Sequence, residues 1–436
     1  MSASLAVART AFAALVDDRV GIIERVDMLR PAPGAPEVFV AHAQPCDTRP
    51  LTGLAAANRG AAASADPQRA VVRACGESVE RYCSAFFDLS ALPLVPAHEL
   101  AADGLPVIRT AALYPFAEHQ YDEPGFPFER THGRAQRWVL ARSADAQEDL
   151  AWVPASAVYV PYLFDRSAEP FTHMPISTGL AAGGSVADCV DKGILEILER
   201  DALMIRWHAW LAATGIAVDS CRGLDPLLDR TLAAGLVGHA AWHLGLITLD
   251  VEVPVVVAAL IDPADPPLTS VGVSAHQDPV RAVLLAAEEA LLTRVLLLAS
   301  SELAEGGLDV PATTLRGHML AHAGSTRLRQ VLSFLVDPPV EVAMAQVVDR
   351  FAPAAALTLP EHLGRVGARA WWVDVTTPDI AACGLHVART VIPGFQPLDN
   401  DHRHRYLGGR RLHAVPRAMG VDVDALVPNP HPHPFP

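Results

Sequence analysis

Three times along this 436-residue chain, a Gly/Ala-rich stretch runs into a helix-like segment carrying a glutamate core. The first core is Glu77-Ser78-Val79-Glu80-Arg81 and the second is Glu196-Ile197-Leu198-Glu199-Arg200. The third is degenerate: Glu288 and Glu289, with Arg294 further on. Carboxylates at i and i+3 share one face of a helix, where they repel each other. A fold that repeats this arrangement needs something positive to set against it, and a divalent metal with a polyphosphate is the leading candidate.

The competing explanation is a surface ladder of ion pairs. Arg73, Glu77 and Arg81 fall at i, i+4 and i+8, and Lys192, Glu196 and Arg200 do the same. Each such pair is worth about 0.2–0.5 kcal/mol. Three features favour the metal. The small-residue stretch, N-cap, apolar run and acidic pair recur in the same order. Glu80 and Glu199 have no basic residue four positions later. The segment from Val280 to Ala299 is apolar nearly all round and therefore buried, so Glu288 and Glu289 would be costly there unless paired or metal-bound.

Other chemistries are excluded by missing motifs. Lys192 is the only lysine, and it stands in Asp191-Lys192-Gly193 rather than in a Walker A loop. A nucleotide would therefore be held without a P-loop. The one Glu-x-x-His pair, Glu129 and His132, falls in a turn-rich stretch outside the expected helices, whereas a di-iron bundle needs the pair on two of its helices. Neither H-E-x-x-H nor G-x-S-x-G occurs. Carboxylates without imidazole prefer a hard cation such as Mg²⁺. The net charge of −15 argues against nucleic acid and against an anionic membrane surface. No apolar run approaches spanning length. The six scattered cysteines, without a C-x-x-C pair, predict reduced thiols and a cytoplasmic chain.

Periodicity predicts an α+β protein, with β-sheets packed against long helices. Helices are expected over 66–88, 185–207 and 278–301, the first and third opened by Asp-Pro. Two or three more are expected within 312–368, and one at Ala11–Val16. Strands are expected at 20–25, 38–43, 138–141, 152–161, 247–251, 255–261, 371–375 and 387–392, and Ser177–Gly184 reads as a flexible loop. From Pro428 every second residue is proline, ending at Pro436. Such a sequence is held near polyproline II. The expected division is one domain over 1–415 and a Pro-rich tail over 416–436.

These residues resemble the YcaO family. Ser177-Thr178-Gly179-Leu180-Ala181-Ala182-Gly183, followed by Glu196-x-x-Glu199-Arg200-Asp201-Ala202, resembles its central signature. Asn58-Arg59-Gly60, then Glu77-x-x-Glu80-Arg81-Tyr82, resembles its first, and Asp278-Pro279 to Arg294 its third. Trp372 to Thr376, Arg389 and Pro393 to Leu398 resemble its C-terminal strands. Departures are Arg73 for a serine, Arg59 for a lysine, Thr178 for an asparagine and Leu292 for a glutamine.

The resemblance implies a YcaO-type fold with ATP and Mg²⁺ as cofactors. It implies metal ligation by Glu77, Glu80, Glu196 and Glu199. It implies ATP contacts from Arg59, Glu77, Arg81, Ser177, Glu196, Arg200, Glu289 and Arg389. Its azoline-forming branch phosphorylates a backbone amide oxygen of a ribosomal precursor peptide, converting Cys, Ser or Thr to thiazoline or oxazoline. That branch ends in Pro-x-Pro-x-Pro, matched here by Pro432 to Pro436, and the implied catalytic group is the Pro436 carboxylate. Partners implied are a precursor peptide with a leader, a separate leader-binding protein like a ubiquitin-activating enzyme, and a flavin dehydrogenase. A homodimer is expected, and no fused leader-binding domain. The alternatives are thioamide or amidine formation by the same logic, and a non-catalytic docking or scaffold subunit of a peptide-modifying complex.

Overall fold

The computed structural model describes residues 11–29, 35–55, 59–101, 104–146, 148–263, 268–300, 311–322 and 331–435. Asn58 and Pro436 lie outside the described residues. Strands β1 (Ile23–Leu29), β2 (Phe39–Pro45) and β3 (Gly60–Ser64) form an antiparallel sheet. A second sheet has the order β4 (Leu94–Pro96), β5 (Ala135–Ser143), β13 (Trp371–Asp374), β14 (His386–Val391), β7 (Leu180–Gly183). In it β6 (Leu150–Pro154) also pairs with β5. The third sheet runs β11 (Leu268–Ala275), β10 (Val255–Asp262), β9 (Ala241–Leu246), β8 (Thr214–Ile216), β12 (Glu341–Val342). Its last pair is parallel.

Each sheet carries one long helix, and each helix starts in the same way. In α1 (Pro67–Ser84), Asp66 Oδ1 accepts from the Arg69 amide at 2.8 Å. In α2 (Val186–Ala209), Ser185 Oγ accepts from Asp188 at 3.2 Å. In α3 (Pro279–Leu298), Asp278 Oδ1 accepts from Val280 at 2.9 Å. An N-cap of this kind is worth about 1 kcal/mol. Asp66 to Glu77, Ser185 to Glu196 and Asp278 to Glu289 are the same interval, about three helical turns. Glu289, not Glu288, is thus the third counterpart.

The three helix–strand units close on one another in a ring. Helix α1 lies on β3 and also touches β7; α2 lies on β7 and touches β11; α3 lies on β11 and touches β3. A glycine permits each close approach. A Cβ on Gly60 would collide with Ala74 O of α1, and one on Gly272 with Ala286 O of α3. In the middle unit Gly193 of α2 abuts Gly179 O, and Gly179 has φ +86, a conformation at which side chains are strained.

Several expected elements move. The strand expected at 247–251 is instead β9, ending at Leu246, because Trp242, Leu244 and Leu246 supply the alternation and the chain then turns through Asp250 to meet β10. The small-residue segment expected as a loop is partly strand: Leu180–Gly183 pairs with β14. Strands β3 and β11 escape propensity reading, β3 being Ala-rich and the apolar run of β11 being broken by two serines and a glycine. They pair because small side chains let a helix lie directly over them. At the N-terminal helix expected over 11–16, a short 3-10 turn spans Ala13–Leu15.

Candidate functional site

The glutamate eleven residues past each N-cap grips its own helix–strand unit. The Ala61 amide donates to Glu77 Oε2 at 2.9 Å, Gly179 to Glu196 Oε2 at 2.9 Å and Val273 to Glu289 Oε2 at 2.6 Å. The second glutamate reaches the next strand round the ring. The Ala182 amide donates to Glu80 Oε1 at 2.7 Å, and the Ala275 backbone holds Glu199. Ala182 and Ala275 are each three residues beyond their strand's glycine, Gly179 and Gly272. The third position is Leu292, which packs in the cluster containing Ala63, three residues beyond Gly60. Two seams of the ring are carboxylate-lined and the third is apolar.

Glu288 fills a different role. It is fully buried, and Arg69 Nε at 3.1 Å and Arg73 Nη1 at 2.6 Å converge on it. This ion triad joins α3 to α1 behind the third seam. The ladder expected along α1 is therefore absent at Arg73, which turns to Glu288 rather than Glu77. Lys192 likewise pairs with Asp188 at 2.8 Å and donates to Ala182 O. The i+4 pairs that remain are Arg81–Glu77 at 3.1 Å and Arg200–Glu196 at 4.0 Å. Arg200 Nε also stands 3.5 Å from Glu199. Arg294 is structural, donating to Leu268 O at 2.6 Å and to Asp262 at 3.2 Å.

The carboxylates sense one another. Burial pushes the Glu80 carboxyl up to about 8, the Ala182 amide opposes this, and the charges of Glu77 and Glu196 add to it. Burial also raises Glu199, against Arg200, with Glu289 and Glu196 adding to the rise. Glu289 is raised by burial too, opposed by Arg200 and the Val273 amide. Glu196 thus sits between both pairs. Arg389 is buried and lowered by desolvation; it faces Tyr114 and Glu196 and donates to Ile176 O at 2.9 Å. A cleft of about 50 Å³ opens beside it, lined in part by Tyr114, Ile176, Thr178, Ile197, Arg200 and Arg389.

Of the ATP-contact candidates, Glu77, Arg81, Glu196, Arg200, Glu289 and Arg389 are brought together. Ser177 opens the turn into β7, its carbonyl accepting from Leu180. Arg59 is exposed at the start of β3, next to the Ala61 amide that Glu77 holds. The catalytic candidate, Pro436, lies outside the described residues, but the chain just before it is buried: His433 and Phe435 are in the interior, and His433 senses the charge of Arg200. Sequence reasoning missed Tyr114, the ring facing Arg389. It also missed Asp201, which accepts from the Gln396 amide and from Arg411 and so fixes one wall of the cleft. Asp201 had a signal, since it directly follows the second glutamate core.

An all-oxygen donor set suits a hard cation. Glu77, Glu80, Glu196 and Glu199 supply that set, and Arg81 Nε is buried there without a hydrogen-bond partner among the described residues. Each of the four carboxylates has one oxygen held by a backbone amide. Among the described residues, no three His, Cys, Asp or Glu side chains close into an ion cage. Cation binding would therefore draw on the carboxylate oxygens not held by amides.

A family model described as YcaO cyclodehydratase, ATP- and Mg²⁺-binding, matches residues 61–396. A curated but uncharacterized protein of Methanothermobacter thermautotrophicus is 26% identical over 279 residues, 61% of this chain and 66% of that protein. A solved heterocyclase in complex with substrate and cofactor superposes over 100% of this chain and 57% of its own, with TM-score 0.78 at 20% identity. The YcaO of Methanopyrus kandleri bound with AMPPCP and Mg²⁺ gives TM-score 0.57 at 18% identity, covering 86% of both chains. This chain spans about two thirds of that curated relative's length and little more than half of that heterocyclase's. Among the described residues, no helix is long and apolar enough to cross a membrane.

Proposed function

Because this chain belongs to the YcaO family, whose cofactors are ATP and Mg²⁺, we propose that it is a peptide cyclodehydratase of the azoline-forming branch. The observation that carries the reading is the pair of carboxylate seams meeting at Glu196, backed by Arg81, Arg200 and Arg389. Bound Mg²⁺-ATP supplies the phosphoryl group. Glu77, Glu80, Glu196 and Glu199 would hold the cation, and Arg81, Arg200 and Arg389 would face phosphate charge. Arg59, Ser177 and Glu289 would complete the contacts to the nucleotide. Phosphoryl transfer needs little beyond such positioning and charge neutralisation.

In the substrate, a Cys thiol or a Ser or Thr hydroxyl adds to the preceding carbonyl carbon and loses its proton. That addition closes the ring; the former amide oxygen takes the phosphoryl group, and its bond to carbon breaks as phosphate leaves while the amide nitrogen loses its proton, forming the C=N bond of the azoline. The proton acceptor in this reading is the Pro436 carboxylate. The substrate is a precursor peptide with a leader, presented by a separate leader-binding protein; a flavin dehydrogenase would act on the product.

Calorimetry with Mg²⁺-AMPPCP tests the site. E80A and E199A are expected to lose tenfold or more in affinity. Unchanged affinity in both sinks the metal assignment. Removal of Phe435-Pro436 tests the tail: turnover should collapse while nucleotide affinity stays.

A further inference from the structure

A polyproline segment makes no internal hydrogen bonds. If it is buried, its carbonyls must find donors elsewhere. From Asn429 to His433, five successive carbonyls do so, each from a different side chain. Arg405 Nη1 donates to Asn429 O at 2.7 Å, and His402 Nε2 to Pro430 O at 2.9 Å. Trp207 Nε1 donates to His431 O at 3.1 Å. His322 Nε2 donates to Pro432 O at 2.6 Å, and His318 Nδ1 to His433 O at 3.0 Å. A carbonyl only accepts, so each of these three ring nitrogens carries a proton. The His433 ring also donates, through Nε2 to Asp399 O at 2.8 Å, and it stacks on His318 with centroids 3.9 Å apart. Phe435 is fully buried in a cluster containing Trp207, Leu332 and Leu398.

The donors come from separated parts of the chain. Trp207 is in α2, His318 in α4 (Leu315–Ala321) and His322 just beyond it, while His402 and Arg405 flank one short turn. Burial alone would hold the tail without fixing its position along its own axis. A row of carbonyl donors does fix it, because sliding by one residue, about 3 Å, misaligns every bond at once. At the end of the row, Phe435 packs in the cluster that contains Ala202 and Leu203, just past Arg200 on α2.

We propose that His318, His322 and His402, with Trp207 and Arg405, are positioning residues that set the axial register of the C-terminal tail and so deliver the chain end to the Arg200 side of the site. This rests on the tail's role in the proposed function. The test uses the full-length chain. Hydrogen exchange read by mass spectrometry follows the His433 and Phe435 amides, and phosphate release from Mg²⁺-ATP gives kcat and KM. H322L and W207F each remove one donor and keep an apolar side chain. Both should speed tail exchange tenfold or more and lower kcat at least tenfold, with KM for ATP within twofold. H322Q, which retains an N–H, should restore both.

Wild-type exchange rates in H322L and in W207F overturn the clamp. Faster exchange with unchanged kcat overturns the positioning role. Deleting Pro436 alone separates the two readings. If that deletion leaves kcat intact, the tail's part in the proposed function falls, while exchange still judges the clamp.

Discussion

Val273 N lies 2.6 Å from Glu289 Oε2, in the relation that Ala61 has to Glu77 and Gly179 to Glu196. One position earlier on the same helix, Glu288 turns away from this ring of amides to Arg69 and Arg73. Adjacent glutamates therefore serve opposite ends, one in the candidate site and one in the scaffold.

Glu288 should matter for stability and not for ligand. Removing one partner of a buried ion pair costs about 3–5 kcal/mol. E288A is expected to lose stability on that scale in urea unfolding. Its affinity for Mg²⁺-AMPPCP, measured where the variant is folded, should stay within a few-fold of wild type. A tenfold loss would place Glu288 in the site.

Glu80 sets a pH dependence. Its folded carboxyl is raised from the ordinary 4.5 to about 8, so the folded chain holds this proton more tightly than the unfolded chain. Stability without ligand should therefore fall as pH rises from about 4.5 to 8. At pH 7 the penalty is at most about 3 kcal/mol. E80Q, which can still accept from Ala182, should flatten this part of the profile and raise the ligand-free melting temperature at pH 8. A profile that E80Q leaves unchanged would refute the assignment.

The tail responds to acid in the opposite sense. Burial holds His318 at about 4, below its ordinary 6.5, and also holds His433 well below 6.5. The groups facing these rings are Asp399, Asp401, His402 and Arg200. With the tail released, the His433 and His318 rings bind protons that they do not bind when it is docked. Docking should therefore be at full strength above about pH 6.5 and weaken as pH falls toward 4. Tail-amide exchange measured across that window, corrected for intrinsic rates, should accelerate at the acid end.

Gly179 makes the closest approach to another backbone segment in the middle unit. A methyl there meets Thr390 O, a backbone atom that cannot rotate away, at φ +86. G179A is expected to cost about 2–4 kcal/mol, combining left-handed strain with overpacking. Gly184, with nothing near its virtual Cβ and a short distance down the chain, is the control: G184A should lie within about 0.5 kcal/mol of wild type.

The third seam can be probed in reverse. Leu292 stands where Glu80 and Glu199 stand in the other units, but among apolar neighbours. L292E would set a carboxylate at a partly buried position among those apolar side chains. A loss of about 2–4 kcal/mol is expected, read from the urea midpoint, and larger at pH 8 than at pH 5.

Much of this was legible in the sequence, for identifiable reasons. The three helices announced themselves because Asp66-Pro67, Ser185 and Asp278-Pro279 are local signals that act within one turn. The glutamates stood out because charge inside an apolar helix is expensive. The ring itself was hidden, since it depends on Ala182 and Ala275 amides that no side-chain pattern reports. Strands β3 and β11 were missed because alanine, serine and glycine carry little strand propensity; their small size serves the helix above them. The ion-pair ladder misled because i+4 spacing says which residues are neighbours on a helix but not which partners another helix offers. Arg73 found Glu288, across more than two hundred residues.

The closed ring also bears on how the molecule comes into being. Its seams join β3 near residue 60, β7 near 180 and β11 near 270, so every seam is a long-range pairing of the kind that forms slowly. Glu196 has neighbours on both sides only after the last unit has docked. A nascent chain released before β11 holds at most one of the two carboxylate seams and cannot assemble the other. Acquisition of nucleotide-binding competence should therefore coincide with the final step of folding, which makes ligand binding a direct clock for completion of the fold.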